Sequence, residues 1–262
     1  MKVHVRVLFV FVVATAVGFA STTQVLAQTD PLSSWNDGSA KQAIVEFVRM
    51  TTDQSSPQFV PPARRIATFD QDGTLWVEHP IYTQAMFALD RVRVLAPAHP
   101  EWKNEEPFKA VLSGDLAAVA HFTEKDWMEI VGATHAGMST DEFLDIAKRW
   151  LETAKHPRFE RLHTELVYQP MLEVLDYLRA SEFDTYIVTG GGQEFVRVYS
   201  QRVYDIPPEQ VVGSSIVTAY EMKDGKPALM RLPKVGARLK MLVHHDDAEG
   251  IRVRTGGRSA GY

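Results

Sequence analysis

The sequence predicts an α/β fold carrying a large helical insertion. Three observations support this. Ile66-Ala67-Thr68-Phe69 is a short apolar run that ends abruptly in Asp70-Gln71-Asp72-Gly73-Thr74. A long stretch from Trp76 to Tyr186 is rich in helix signals and poor in strand signals. A second apolar run, Asp184 to Val188, then ends in Thr189-Gly190-Gly191-Gly192. Strand, helices, strand in that order is the pattern of open α/β sheets, whose ligands gather at the carboxyl ends of the strands.

In chain order, Met1 to Ala27 reads as a secretory leader. Lys2 and Arg6 form a basic start, Val7 to Ala20 is almost wholly apolar, and Val25-Leu26-Ala27 resembles a small-residue cleavage site. The apolar run falls short of the ~20 residues that span a bilayer. The expectation is therefore an exported protein, in a bacterial periplasm, with no stable membrane anchor after cleavage. With no cysteine in the chain, disulfides are excluded. The formal net charge is −5, and the leader holds basic but no acidic residues, so the mature chain is more acidic still. That balance gives no support to a nucleic-acid partner. Gln28 to Asn36 is a polar tail, Ala40 to Thr51 has helical spacing, and Ser55 to Pro62 is a Pro-rich loop leading to the first strand.

At that strand's end, side-chain alternation places Asp70 and Asp72 on one side, with Gln71 pointing away. Gly73 permits a sharp turn. Paired carboxylates repel unless a cation or a shared proton compensates, which suggests chemistry. Read alone, Asp-x-Asp-Gly is equally an acidic β-turn. A calcium loop is excluded because the further acidic ligands and closing Glu are missing.

Within the helical stretch, Ile81 to Leu95 forms one predicted helix, and Pro97, Pro100 and Pro107 interrupt the chain. Leu116 to Phe122 and Trp127 to Ala133 are short helices, and Ser139-Thr140-Asp141-Glu142 is a capping box opening a helix to about Lys155. Trp102, Trp127, Phe143 and Trp150 read as packing residues, and the histidines at 79, 99, 121, 135, 156 and 163 lack metal-ligand spacing. Met171 to Ala180 is amphipathic. The Thr189-Gly190-Gly191-Gly192 turn offers a hydroxyl and backbone N–H groups to an anion, although a plain strand-to-helix connection fits it as well. Gln193 to Val203 reads as the next helix, Val211 to Val217 as a strand, and Met222 to Pro227 as a hairpin turn.

The Asp70-x-Asp72-Gly73-Thr74 motif after an apolar strand, paired with Thr189-Gly190-Gly191, resembles the haloacid dehalogenase (HAD) superfamily, and within it the phosphoserine-phosphatase-like branch. The resemblance covers roughly residues 40 to 232. It implies a Rossmann-like core with a parallel sheet and a helical cap inserted between the first and second motif strands. Residues 28–76 and 186–249 would form the core, 77–185 the cap and a linker helix, and 250–262 a disordered basic tail. It further implies an Mg²⁺-dependent phosphohydrolase cleaving a small phosphorylated metabolite through an aspartyl phosphate. Asp70 would be the nucleophile and Asp72 the acid and base. Thr189, Gly190 and Gly191 would hold phosphoryl oxygens, and Lys234 or Lys240 would supply a neutralising cation. Asp70 and Asp72 would share the metal with a distal acid.

Departures from the family's pattern are concentrated after Leu232. No Gly-Asn-Ser-Asp segment occurs, and Leu242 to Glu249 matches a stretch that usually lies beyond the missing block. Asp246 and Asp247 are the remaining candidates for the metal acids. The C-terminal part of the core is expected to be incomplete, and a catalytically impaired HAD-fold remnant is the alternative function.

Overall fold

The computed structural model describes residues 30–236. The leader, Lys240, Asp246, Asp247 and the basic tail lie outside the described residues. Helix α1 (Ser39–Thr52) precedes strand β1 (Ile66–Phe69). Helices α2 (Thr83–Leu95), α3 (Phe108–Ser113), α4 (Leu116–Ala120), α5 (Glu124–His135), α6 (Thr140–Leu151) and α7 (Gln169–Ala180) follow. Strand β2 (Asp184–Gly192), α8 (Gln193–Arg197), α9 (Ser200–Tyr204), β3 (Val211–Ser214), β4 (Ile216–Lys223) and β5 (Lys226–Val235) complete the order.

Strands β1, β2 and β3 form a parallel sheet in that order. A parallel pair needs a crossover connection, and the helices from α2 to α7 supply it between β1 and β2. The result is the predicted α/β core with an inserted helical region. The inner face of the sheet carries Ala67, Phe69, Ile187 and Val211, which pack with Val174, Leu175 and Leu178 of α7 and with Phe195 of α8. Strand β1 is buried on that face only. It is a terminal strand of the sheet among the described residues, and Ile66 is 47% exposed.

The insertion joins two apolar clusters. Leu89 and Val92 of α2 pack with Trp102, Phe108, Val111 and Ile130, the Trp102 and Phe108 rings stacking at 4.2 Å. Phe87, on the opposite side of α2, enters the sheet's core with Phe143, Ala147 and Leu151 of α6. Both cap helices thus contribute to the same core as the strands. The aromatics read as packing residues fall here: Trp102 and Trp127 in the first cluster, Phe143 and Trp150 in the second.

Local signals explain most boundaries. Thr123 and Ser139 cap α5 and α6 with reciprocal capping boxes, and α6 stops at Leu151 rather than near Lys155. The segment Gln193 to Val203 is two short helices, not one. The segment Val211 to Val217 divides between two sheets, β3 in the parallel one and β4 in an antiparallel pair with β5. Asp224 and Gly225, both at positive φ, form the two-residue turn of that hairpin. Its far strand lies along the α5–α6 connection, where Gly137 N–H donates to Arg231 O and Arg231 N–H to Met138 O.

Candidate active site

The register of the parallel sheet builds the site. Phe69 pairs with Ile187, so Asp70 leaves β1 beside β2, in which Thr189 stands two residues further along; the run Thr189 to Gly192 continues that strand and is not a turn after it. The Thr189 hydroxyl lies within reach of the Asp70 carboxylate and favours its charged form. Gly191 N–H donates to Thr189 Oγ1 at 3.1 Å, which occupies an acceptor position and leaves the hydroxyl proton for Asp70. The two strand-end motifs recognised in the sequence are therefore in contact.

The loop after Asp70 closes on itself. Leu75 N–H donates to Gln71 O and Gly73 N–H to Trp76 O, with Gly73 at φ 74°. Gln71 points away from the acids into the core, where its Nε2 donates to Tyr204 OH at 2.8 Å. Trp76 is buried, stacks on Tyr199 at 4.7 Å and donates its indole N–H to Asp72 Oδ1 at 2.7 Å. Burial raises the Asp70 carboxyl above its ordinary range, against the lowering effects of Gln71 N–H and Thr189. Burial also pushes Asp72 up to about 6, opposed by the Trp76 indole and reinforced by the negative charges of Asp70 and Glu78. A carboxyl with that property holds a proton near neutrality and can donate it.

Glu78 is a member of this group that sequence reading missed. Its carboxylate lies against Gly73, so that a Cβ at position 73 would stand 2.8 Å from it. No spacing rule links Glu78 to Asp70 and Asp72; the turn at Gly73 brings it back. Gln84 is a second omission. It reaches from α2 to accept Gly192 N–H at 2.7 Å.

The cation side is less complete. Gly191 N–H lies on the Thr189 hydroxyl, whereas Lys234 stands exposed near the end of β5 in the antiparallel hairpin. Among the described residues, no cation is among the charges acting on Asp70 or Asp72. Among the described residues, no group of three or more His, Cys, Asp or Glu side chains is arranged to hold a metal ion. Asp70 and Asp72 thus form only part of the oxygen-rich site that Mg²⁺ favours.

A family model for haloacid dehalogenase-like hydrolases matches residues 65–232, from just before β1 into β5. The chain belongs to this family. The HAD-like hydrolase is also similar in fold to a Bordetella pertussis protein of unknown function, at 17% identity and a TM-score of 0.41, covering 66% of each chain. An Anaerococcus prevotii protein, also functionally unknown, shares 14% identity over 75% of this chain and 71% of its own, at a TM-score of 0.46. A phosphoserine phosphohydrolase-like protein from Francisella tularensis shares 17% identity over 62% of each chain, at a TM-score of 0.24. No curated protein sequence matches.

Proposed function

We propose that this HAD-like hydrolase is a phosphoryl-binding, catalytically impaired member of its family, exported and facing small phosphorylated metabolites. The observation that carries this reading is electrostatic. Asp70, Asp72 and Glu78 repel one another, and among the described residues no lysine or arginine acts on either aspartate. Phosphoryl transfer depends mainly on positioning and on neutralising charge at the transferred group. Removing one such stabiliser costs roughly 10²–10³ in rate, so a site built from the described residues, with its nucleophile but no neutralising cation beside it, would turn over slowly or not at all. The described residues do not complete an Mg²⁺ site.

One observation favours a second reading, an active phosphohydrolase of the phosphoserine-phosphatase-like branch. Asp72 has the raised carboxyl that a general acid needs. In that reading an Asp70 oxygen attacks phosphorus, the ester oxygen departs with the Asp72 proton, and an aspartyl phosphate forms. Water then attacks phosphorus, gives a proton to Asp72 and releases phosphate. Thr189 and the glycines after it would bind the phosphoryl oxygens.

Purified protein assayed with p-nitrophenyl phosphate, with and without Mg²⁺, separates the two. The impaired reading expects binding of orthovanadate, a phosphate mimic, with little or no turnover. Rapid Mg²⁺-dependent hydrolysis that Asp70→Asn abolishes would replace it with the active reading.

A further inference from the structure

A chain of hydrogen bonds runs from the helical insertion to the glycine-rich end of β2, and its directions are fixed. Thr134 Oγ1 donates to Ile130 O at 2.6 Å, spending its only proton. Towards His135 Nδ1, 2.8 Å away, the hydroxyl can therefore only accept, so Nδ1 carries the imidazole proton. His135 Nε2 is then an acceptor and takes an N–H from Gln84 Nε2 at 3.2 Å. This orients the Gln84 amide with its oxygen towards the core, where it accepts Gly192 N–H at 2.7 Å. The neighbouring Gly191 N–H holds Thr189 Oγ1, and the Thr189 hydroxyl lies beside Asp70 and favours its charged form.

The same strand end is gripped from its other side. Arg231 of β5 donates to His135 O at 2.7 Å, lies 4.0 Å over the Phe143 ring and pairs with Glu194 at 3.7 Å. Glu194 lies two residues after Gly192. His135 thus holds the strand end from two directions, through Gln84 on one side and Arg231 on the other.

We propose that Gln84 is a positioning residue for the candidate phosphoryl site. From the insertion it sets the orientation of the Gly191–Gly192 backbone and, through it, the Thr189 hydroxyl that meets the ligand beside Asp70. Gln84 reaches that hydroxyl only through the glycine backbone. The inference rests on the phosphoryl-binding reading, but its first step, Gln84 fixing the strand end, can be measured without any ligand.

Two substitutions approach the contact from opposite sides. Gln84→Met keeps the length and helix preference of the side chain while removing its polar atoms. Gly192→Ala has an ordinary φ of −73°, and its Cβ would stand 2.6 Å from Gln84 Nε2, displacing the amide from the core side. The experiment combines amide hydrogen exchange at Gly192, orthovanadate affinity by calorimetry and the urea midpoint, for the full chain and both variants. Gln84→Met is expected to speed exchange at Gly192. Both variants are expected to weaken vanadate binding about tenfold, as for loss of one well-formed hydrogen bond, beyond anything a change in the urea midpoint explains. If exchange at Gly192 is unchanged in Gln84→Met, the proposal is overturned. It is equally overturned if both variants bind vanadate within twofold of the parent. A parent that binds no vanadate removes the phosphoryl reading, and the positioning of Thr189 for a ligand with it; faster Gly192 exchange would then mark Gln84 as a support of the strand end alone.

Discussion

Trp76 donates its indole N–H to Asp72 at 2.7 Å while its ring is stacked on Tyr199. The contact fixes the carboxylate in a half-buried place where its own charge is disfavoured. The Asp72 carboxyl rises to about 6, against an ordinary value of 3.8. Between those limits the folded protein keeps a proton that the unfolded chain has released, so the stability contributed below about pH 4 is lost as pH rises towards 6.

Asp72→Asn removes this penalty and keeps an oxygen for the indole. The variant is expected to be more stable than the parent by about 3 kcal/mol at pH 7 and nearly equal to it at pH 4. Urea denaturation at the two values checks this. A variant less stable at pH 7 would mean that Asp72 is not penalised by burial.

The buried histidines predict the opposite trend in acid. Burial, with the nearby Arg231 and Arg91 charges, depresses His135 to about 3, and burial beside His156 depresses His163 to about 4. Both are neutral in the fold. Their contribution is complete above pH 6.5 and falls as the unfolded chain takes up protons below it, by about 1.4 kcal/mol per pH unit for each ring. His135→Asn should flatten the fall in stability between pH 6.5 and 4.5, measured by chemical denaturation, even if it lowers stability at pH 7.

Arg231 is 3% exposed, and its guanidinium is held by a carbonyl, an aromatic face and Glu194. Arg231→Met removes one partner of a buried pair and is expected to destabilise by about 3 kcal/mol. Arg231→Lys should recover little of this, because an ammonium lacks the planar fork that meets ring and carbonyl together. Melting temperatures of the two variants against the parent test the point.

Phe87 is fully buried and meets Phe143, Trp150 and Phe195 at ring separations of 5.2–5.9 Å. Those partners come from the insertion and from the sheet side alike. Phe87→Ala is expected to cost roughly 3–5 kcal/mol and to loosen both in a single unfolding transition. Two separate transitions in calorimetry would show that insertion and core are independent units.

The strand-end motifs were readable because each combines an apolar run with residues that suit a carboxyl-end site. Asp70 and Thr189 lie 119 positions apart in the chain, yet the Phe69–Ile187 pairing makes them neighbours. Gln84 and Glu78 were not readable. A glutamine in an amphipathic helix looks like surface, and the glutamate's approach depends on a turn at Gly73 that gives direction without revealing its target. Division of Val211–Val217 between two sheets was hidden for a similar reason, since a continuous β-prone run does not say with which partner each half pairs.

Strand β1 is fastened to the sheet along one flank, through β2, among the described residues. Asp70 therefore hangs from a ribbon whose opposite rim has no described neighbour to steady it. The rigidity of its carboxylate has to come from beyond the strand, from the Thr189 hydroxyl and the knot of Gln71, Trp76 and their tyrosine partners. Loosening that knot would shift the nucleophile even with every backbone bond of the sheet intact.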